Sequence, residues 1–409
     1  MNKRIFNIAL RGGTLVSRFL FVFFLAKYLE PSLLGVYGIF TATIGYALYF
    51  VGLDFYVYTT REIIKTDKRL WGGFLKNQAL VSTLLYLVLF LVLVVATLSQ
   101  KITVAQSIWF FAILIFEHLN QEVSRLLVAI HRQTVASMML FLRQGFWAIA
   151  VVILMIFYPT LRTLDFVFAF WLISGIVTFS ISSICLKKVG MGGWKNKIDY
   201  QWIKKGIQTS GVFLIATLAL RGIQTVDRYW VQSLNGLDIV GAYVLFIGMA
   251  STLMTFLDAG VFSFSYPTLI NLHQERKHKE FNQQMLKMTV STVVITILFV
   301  LVSIIVIPYL LQWTGKAIYY EYLDIYYILI VATIFNAFGM IAHYALYARG
   351  IDRPIIYSHI TSIVVFSLTS YFASKWNAVF AIPIGLTAAF IYIFLYKTLT
   401  LTIKSRSCS

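Results

Sequence analysis

Arg11-Gly12-Gly13-Thr14-Leu15-Val16-Ser17-Arg18-Phe19 and Arg221-Gly222-Ile223-Gln224-Thr225-Val226-Asp227-Arg228-Tyr229 are one phrase written twice, 210 positions apart, each inside a long apolar stretch. Arginine, glycine, valine, arginine and an aromatic ring recur at the same spacing, the mark of an internal repeat. In each copy the arginines are seven apart, which places them on one helical face about two turns from one another. A guanidinium at the bilayer centre costs about 2.5–3.5 kcal/mol on insertion scales. Each therefore snorkels to a headgroup, pairs with an acid, or lines a polar cavity. At about 1.5 Å rise per residue, Arg18 stands about 20 Å from the start of its helix, beyond easy reach of that surface. Recurrence in both halves favours a cavity that receives something anionic.

Working outward, Gly35-Val-Tyr37-Gly-Ile-Phe40 matches Gly241-Ala-Tyr243-Val-Leu-Phe246 at an offset of 206, and a weaker echo sets 127–132 beside 346–353. Windows of about 20 apolar residues place twelve spans at 5–28, 34–53, 77–98, 105–130, 137–158, 165–186, 206–231, 239–262, 288–311, 322–346, 355–373 and 378–396. The period-two alternation of a membrane barrel is absent, so the spans are helices. Six spans separate the copies, so both enter the membrane the same way round. The expected fold is an all-α polytopic membrane protein, with twelve transmembrane helices in two parallel six-helix repeats around a central cavity. Residues 1–186 form the first bundle, 187–205 a lysine- and glycine-rich cytoplasmic linker, and 206–409 the second bundle with a short tail.

The chain has 409 residues, of which 59% are hydrophobic and only 12% charged, so most of its surface needs lipid. A net charge of +18 invites a nucleic-acid reading, but the cations gather on alternate connections. Lys3 and Arg4, Arg61 to Lys76, Lys187 to Lys205, Arg276 to Lys287 and Lys397 to Arg406 fall on one side; Lys27, Lys101, Arg162, Lys316 and Lys375 fall on the other. The positive-inside rule then puts both termini in the cytoplasm and excludes nucleic acid as the partner. Membrane lipids remain as partners of the basic loops. The first residues imitate a signal peptide, yet Arg11 interrupts the apolar run and no cleavage pattern follows. Cys185 and Cys408 make neither a disulfide framework nor a metal site. The chain has no phosphate-binding Gly-x-x-x-x-Gly-Lys motif, no His-Glu-x-x-His and no Cys/His cluster. That leaves no ATP site, metal or cofactor, and points to secondary transport rather than an enzyme.

The fourth span is the most polar. Glu117, His118, Gln121, Glu122 and Arg125 share an arc of about 140°. Either they satisfy one another, Glu122 with Arg125 and His118 with Glu122, or they form a protonation site. Arg143, in the fifth span, is a further cavity cation or a snorkelling one. Asp54 and Asp258 close the second and eighth spans, as gates or as solvated interfacial charges. Asp227 adjoins Arg228, but consecutive helical residues point about 100° apart and need not pair. The candidate substrate-binding residues are thus Arg11, Arg18, Arg221, Arg228, Arg125 and Arg143. Glu117, Glu122, Asp227, Asp258 and Asp54 are the candidates for ion coupling or gating.

Gly52-Leu-Asp54-Phe-Tyr-Val-Tyr-Thr-Thr-Arg61-Glu62 resembles the segment after the second helix of Wzx-type O-antigen flippases. The stretches 25–37 and 226–243 resemble the half-repeat signatures of the polysaccharide transporter branch of the multidrug/oligosaccharidyl-lipid/polysaccharide exporter superfamily. The resemblance covers the whole chain. It implies translocation of an undecaprenyl-diphosphate-linked oligosaccharide across the bacterial inner membrane, with H⁺ or Na⁺ as counter-ion and the polymerase and chain-length proteins of the same pathway as partners. It supplies no catalytic motif. Two alternatives stand beside it: a drug or metabolite exporter of the same superfamily and, from a different class, a membrane O-antigen polymerase or glycosyltransferase. Outward connections of about ten residues or fewer leave little room for the extracytoplasmic active site of such an enzyme.

Overall fold

The computed structural model describes residues 3–406, apart from the side chains at 3–5, 8, 212–213 and 405–406. Lys3, Arg4, Arg406 and Cys408, used in the charge and cysteine arguments, therefore lie outside the described side chains. Every regular element described is helical. The chain is a multi-pass membrane protein: among the described residues ten helices are long and apolar enough to cross a bilayer, or eleven if Tyr200–Gly211 and Leu214–Asn235 count as one bent span. The remaining expected span, 105–130, is a helix of 26 residues. Its polar arc keeps it below the apolarity of the others.

Contacts gather the helices into two units. The first holds residues 1–21 and 40–214. It contains the start of α1 (Lys3–Tyr28), the end of α2 (Pro31–Gly52), α3 (Tyr56–Lys65), α4 (Lys68–Leu98), α5 (Val104–Ala129), α6 (Gln133–Phe141), α7 (Trp147–Phe157), α8 (Leu164–Lys187) and the beginning of α9 (Tyr200–Asn235). Its core stacks Phe40 on Phe168 at 4.2 Å and Trp147 on Trp171 at 5.9 Å. A π-helical turn, Leu142–Phe146, joins α6 to α7. Thr103 caps α5 with a full capping box, its side chain accepting from the Gln106 backbone while the Gln106 side chain returns the bond. The stretch after α8 is held down on α4: Gly72 N donates to Gly192 O at 2.7 Å, and Gly192 N donates to Lys68 O at 3.0 Å.

The second unit holds residues 22–39 and 215–409. It contains α10 (Leu237–Leu257), α11 (Ser263–Gln274), α12 (His278–Thr314), α13 (Ala317–Glu321), α14 (Leu323–Ala348), α15 (Arg353–Trp376) and α16 (Ala378–Arg406). The repeated glycines have a structural reason here. A Cβ on Gly35 would lie 2.4 Å from Leu237 O, and one on Gly241 would lie 2.0 Å from Pro31 O. The start of α2 thus packs backbone to backbone on α10, and the motif glycines permit it. Behind this contact Tyr243, Phe246 and Tyr326 are fully buried. On the outside, Leu84, Leu87 and Leu91 of α4 and Leu286, Leu298 and Ile305 of α12 are exposed, as a lipid-facing surface requires.

One expected boundary moves. Asp258 does not close the eighth span; a π turn, Asp258–Phe262, carries α10 on into α11 as far as Gln274. An aspartate does not stop a helix when the ladder shifts to the wider π register instead. Asp54, by contrast, does lie at a break, where Leu53 and Asp54 take positive φ values of 48° and 49° between α2 and α3.

Candidate functional site

The polar face of α5 is turned inward and largely satisfied within its own unit. Glu117 is 5% exposed. Its Oε1 accepts from Trp171 Nε1 at 2.7 Å, and its Oε2 lies 3.5 Å from Arg143 NH1. The same guanidinium donates to the Glu117 carbonyl at 3.2 Å. Arg143 sits on the π turn, where the wider backbone carries it inward and leaves it buried. One turn along α5, Glu122 accepts from Gln78 Nε2 and from Arg125 NH1, both at 2.6 Å. Arg125 also lies over the Tyr56 ring at 3.5 Å. His118 completes the row, its Nδ1 2.9 Å from Tyr86 Oη and its Nε2 3.8 Å from Glu122 Oε1. Two carboxylates thus face two guanidiniums, with a tryptophan, a glutamine and a tyrosine adding hydrogen bonds, while among the described residues Arg143 Nε and His118 Nε2 stay without one. Glu122, Arg125, Gln78 and Tyr56 open on a narrow recess, whereas Glu117 and Arg143 are sealed.

The α1 arginines are placed differently. Arg11 and Arg18 are both exposed. Arg11 Nε donates to Ser137 Oγ at 3.3 Å and Arg18 NH1 donates to Gln144 Oε1 at 3.2 Å. Their partners are also seven apart, so the two arginines form matched rungs between α1 and the α6–π segment. Both partners are neutral. Among the described residues no carboxylate comes within ion-pair distance of either.

The second copy of the phrase has a different chemistry. Arg221 is exposed and donates to Gln224 Oε1 at 3.2 Å, with Asp258 acting on the same charge. Arg228 pairs with Asp227, NH1 to Oδ1 at 3.0 Å, and also donates to the Gln224 carbonyl. Asp227 is fully buried and accepts from Tyr243 Oη at 2.7 Å and from the Arg228 backbone at 2.7 Å. The 100° between neighbours did not prevent the pairing, because the long arginine side chain bends back over its own helix. Arg228 is therefore neutralised inside its unit, and Tyr243 of the second Gly-x-Tyr motif anchors the acid. Among the described residues, no group of three or more His, Cys, Asp or Glu is placed to hold a metal ion.

Sequence reading missed one cluster altogether. Lys397 does not lie on a cytoplasmic connection; it is 1% exposed inside α16, against two histidines. The signal available was a lysine well inside an apolar run that extends past 396. Histidine partners 38 and 54 positions away leave no local pattern.

No protein-family model matches the sequence, and no curated protein matches it. Solved structures do match in shape. A multidrug resistance MATE family transporter of the MOP superfamily, in its inward-facing conformation, superposes with a TM-score of 0.73 over 97% of this chain and 96% of that one, at 14% identity. The fold is that of the MATE transporters. A mutant form of the Vibrio cholerae MATE transporter VcmN matches with a TM-score of 0.63 at 13% identity, covering 98% of each chain. An outward-facing MATE family transporter matches at 0.58 with 14% identity, over 98% of this chain and 95% of that one. The MATE-like fold runs over nearly the full chain. At these identities the likeness extends to the fold, leaving substrate to the chemistry of the residues.

Proposed function

We propose that this protein is a flippase that moves an undecaprenyl-diphosphate-linked oligosaccharide, an O-antigen or related repeat unit, from the cytoplasmic to the periplasmic leaflet of a bacterial inner membrane. It spans that membrane twelve times, in two six-helix repeats with both termini cytoplasmic, and works by alternating access. The observation that carries the reading is the pair of exposed guanidiniums on one face of α1, Arg11 and Arg18, held by neutral partners only. Such groups keep their charge available for a diphosphate, which they bind through charge-assisted and bidentate hydrogen bonds. Arg221, the matching arginine of the second copy, shares its charge with Asp258; Arg125 and Arg143 orient acids, and Arg228 is held by Asp227. A sugar hydroxyl without partners costs about 4–8 kcal/mol to place in hydrocarbon, so a polar path is needed for the glycan while the prenyl chain stays in lipid. Among the acids, Glu122, beside the narrow recess, is the one best placed for gating or for a part in coupling to H⁺ or Na⁺. The pathway's polymerase and chain-length proteins are the partners that would take the product.

The test is a proteoliposome assay of lipid-linked oligosaccharide flipping with Arg11→Gln/Arg18→Gln. The double variant is expected to insert and fold normally and to lose flipping by tenfold or more, about 1.4 kcal/mol of lost phosphate recognition. Undiminished flipping in the folded double variant removes the arginine mechanism. The likeness in fold to multidrug resistance transporters favours a second reading, drug export. Saturable uptake of an organic cation, with no movement of the lipid-linked glycan, would select it.

A further inference from the structure

We infer that Lys397, His343 and His359 form a proton-binding site within the second unit, through which protons are exchanged for substrate. The inference deepens the flippase reading, naming the coupling ion and its site; the coupling role rests on that reading, whereas proton binding does not.

Lys397 projects from α16 into the junction with α14 and α15. Its Nζ lies 2.9 Å from His359 Nε2 on α15 and 3.2 Å from His343 Nδ1 on α14. The imidazoles lie nearly parallel, 16° between planes with centroids 6.1 Å apart, and the amine reaches one nitrogen of each. A lysine in a transmembrane helix ordinarily extends its stem toward the headgroups. This one turns inward, with only 1% of its surface exposed. Among the described residues no aspartate or glutamate makes an ion pair with any of the three. The groups facing the cluster are few. Tyr344 flanks His343 on α14 at 5.4 Å, and the backbone of Ala216 on α9 hydrogen-bonds His359.

Such an arrangement is costly as a structural device, since a buried cation without a counter-charge is stabilised only by two neutral acceptors. It is well formed for holding and releasing one proton. With the amine protonated, it donates to both imidazoles, each neutral and presenting a lone pair. With the amine neutral, it donates to one imidazole and accepts N–H from the other after a tautomer change. Both hydrogen bonds survive in both states, which differ by one proton and one positive charge. His359 is 8% exposed and held by the Ala216 backbone, whereas His343 is partly exposed, which leaves the proton exchange to His343. The proton passes from the amine to His343 Nδ1, and the ring releases one from its other nitrogen. Nothing is oxidised, and no co-reactant beyond water is required.

The test uses the purified full chain in detergent micelles. Potentiometric titration of wild type against Lys397→Met, between about pH 5 and pH 9 to bracket the imidazole range, reads the site directly. The wild type is expected to bind one proton more across that interval. Methionine replaces the amine with an apolar chain of similar length, the kind of change buried ionic sites tolerate. Superimposable curves from two folded proteins overturn the proposal. Should Lys397→Met fail to fold, His343→Gln/His359→Gln serves: it keeps the amine but removes the imidazoles, and an unmoved titration step overturns the proposal equally. In proteoliposomes at zero potential, a pH gradient is expected to accelerate flipping by the wild type and not by Lys397→Met. Retained acceleration in the variant removes the coupling role. If neither protein moves lipid-linked glycan while the proton difference stands, the flippase reading fails and the proton site remains.

Discussion

The contact between α2 and α10 admits a sharp test, Gly241→Ala. The added Cβ would stand 2.0 Å from Pro31 O and 2.7 Å from the Pro31 carbonyl carbon. An ordinary carbon–oxygen contact needs about 3.3 Å, so the helices must part by about 1.3 Å. The obstacle is backbone, which has no rotamer to swing aside, and this puts the overpacking cost near the upper end of its usual range, about 3 kcal/mol. Alanine's better helix propensity returns about 1 kcal/mol, leaving a net loss of about 2 kcal/mol. Gly45→Ala is the control: it lies on α2 itself, and its Cβ would meet nothing within 4 Å. That substitution is expected to stabilise by about 0.5–1 kcal/mol from propensity alone. Denaturant-driven unfolding in mixed micelles, followed by helical circular dichroism, measures both. Equal stability of the two variants would refute the backbone contact and with it the account of why the Gly-x-Tyr motif recurs.

Three further outcomes follow from the buried acid and from the charge of the proposed substrate. Asp227→Ala strands the Arg228 guanidinium, which is 17% exposed, and is expected to destabilise by about 3 kcal/mol, whereas Tyr243→Phe removes one hydrogen bond and costs about 1–2 kcal/mol, read by the same unfolding assay. Exporting an anion from a negative interior is downhill by about 2.3 kcal/mol per charge per 100 mV, so flipping at clamped pH is expected to accelerate when the cytoplasmic side is made negative, and indifference to potential eliminates the electrogenic drive.

Much of this was legible in the chain. The helical windows could be read because apolar residues run for the thickness of a bilayer, and only the ends moved, as at Asp258. The polar arc of α5 was legible too, since residues spaced three and four apart must share a face. Which of its two readings holds was a matter of partners on other helices: Gln78 from α4, Trp171 from α8 and Arg143 from the π turn. The repeated arginine phrase misled in one respect, for equal spacing implied equal roles. Arg11 and Arg18 keep neutral partners, while Arg228 is held by an aspartate that the first copy replaces with Ser17. That difference stood in the sequence, at the position before the second arginine.

Local order alone determined that the chain is helical and lipid-embedded, that it is internally repeated, and that its arginines share helical faces, because apolar length and helical period act through neighbours a few residues apart. Tertiary structure decided which charges remain available and which are neutralised, and it brought Lys397 to two histidines on other helices. Ion pairing and burial depend on distances across helices, which residue spacing along one helix does not contain.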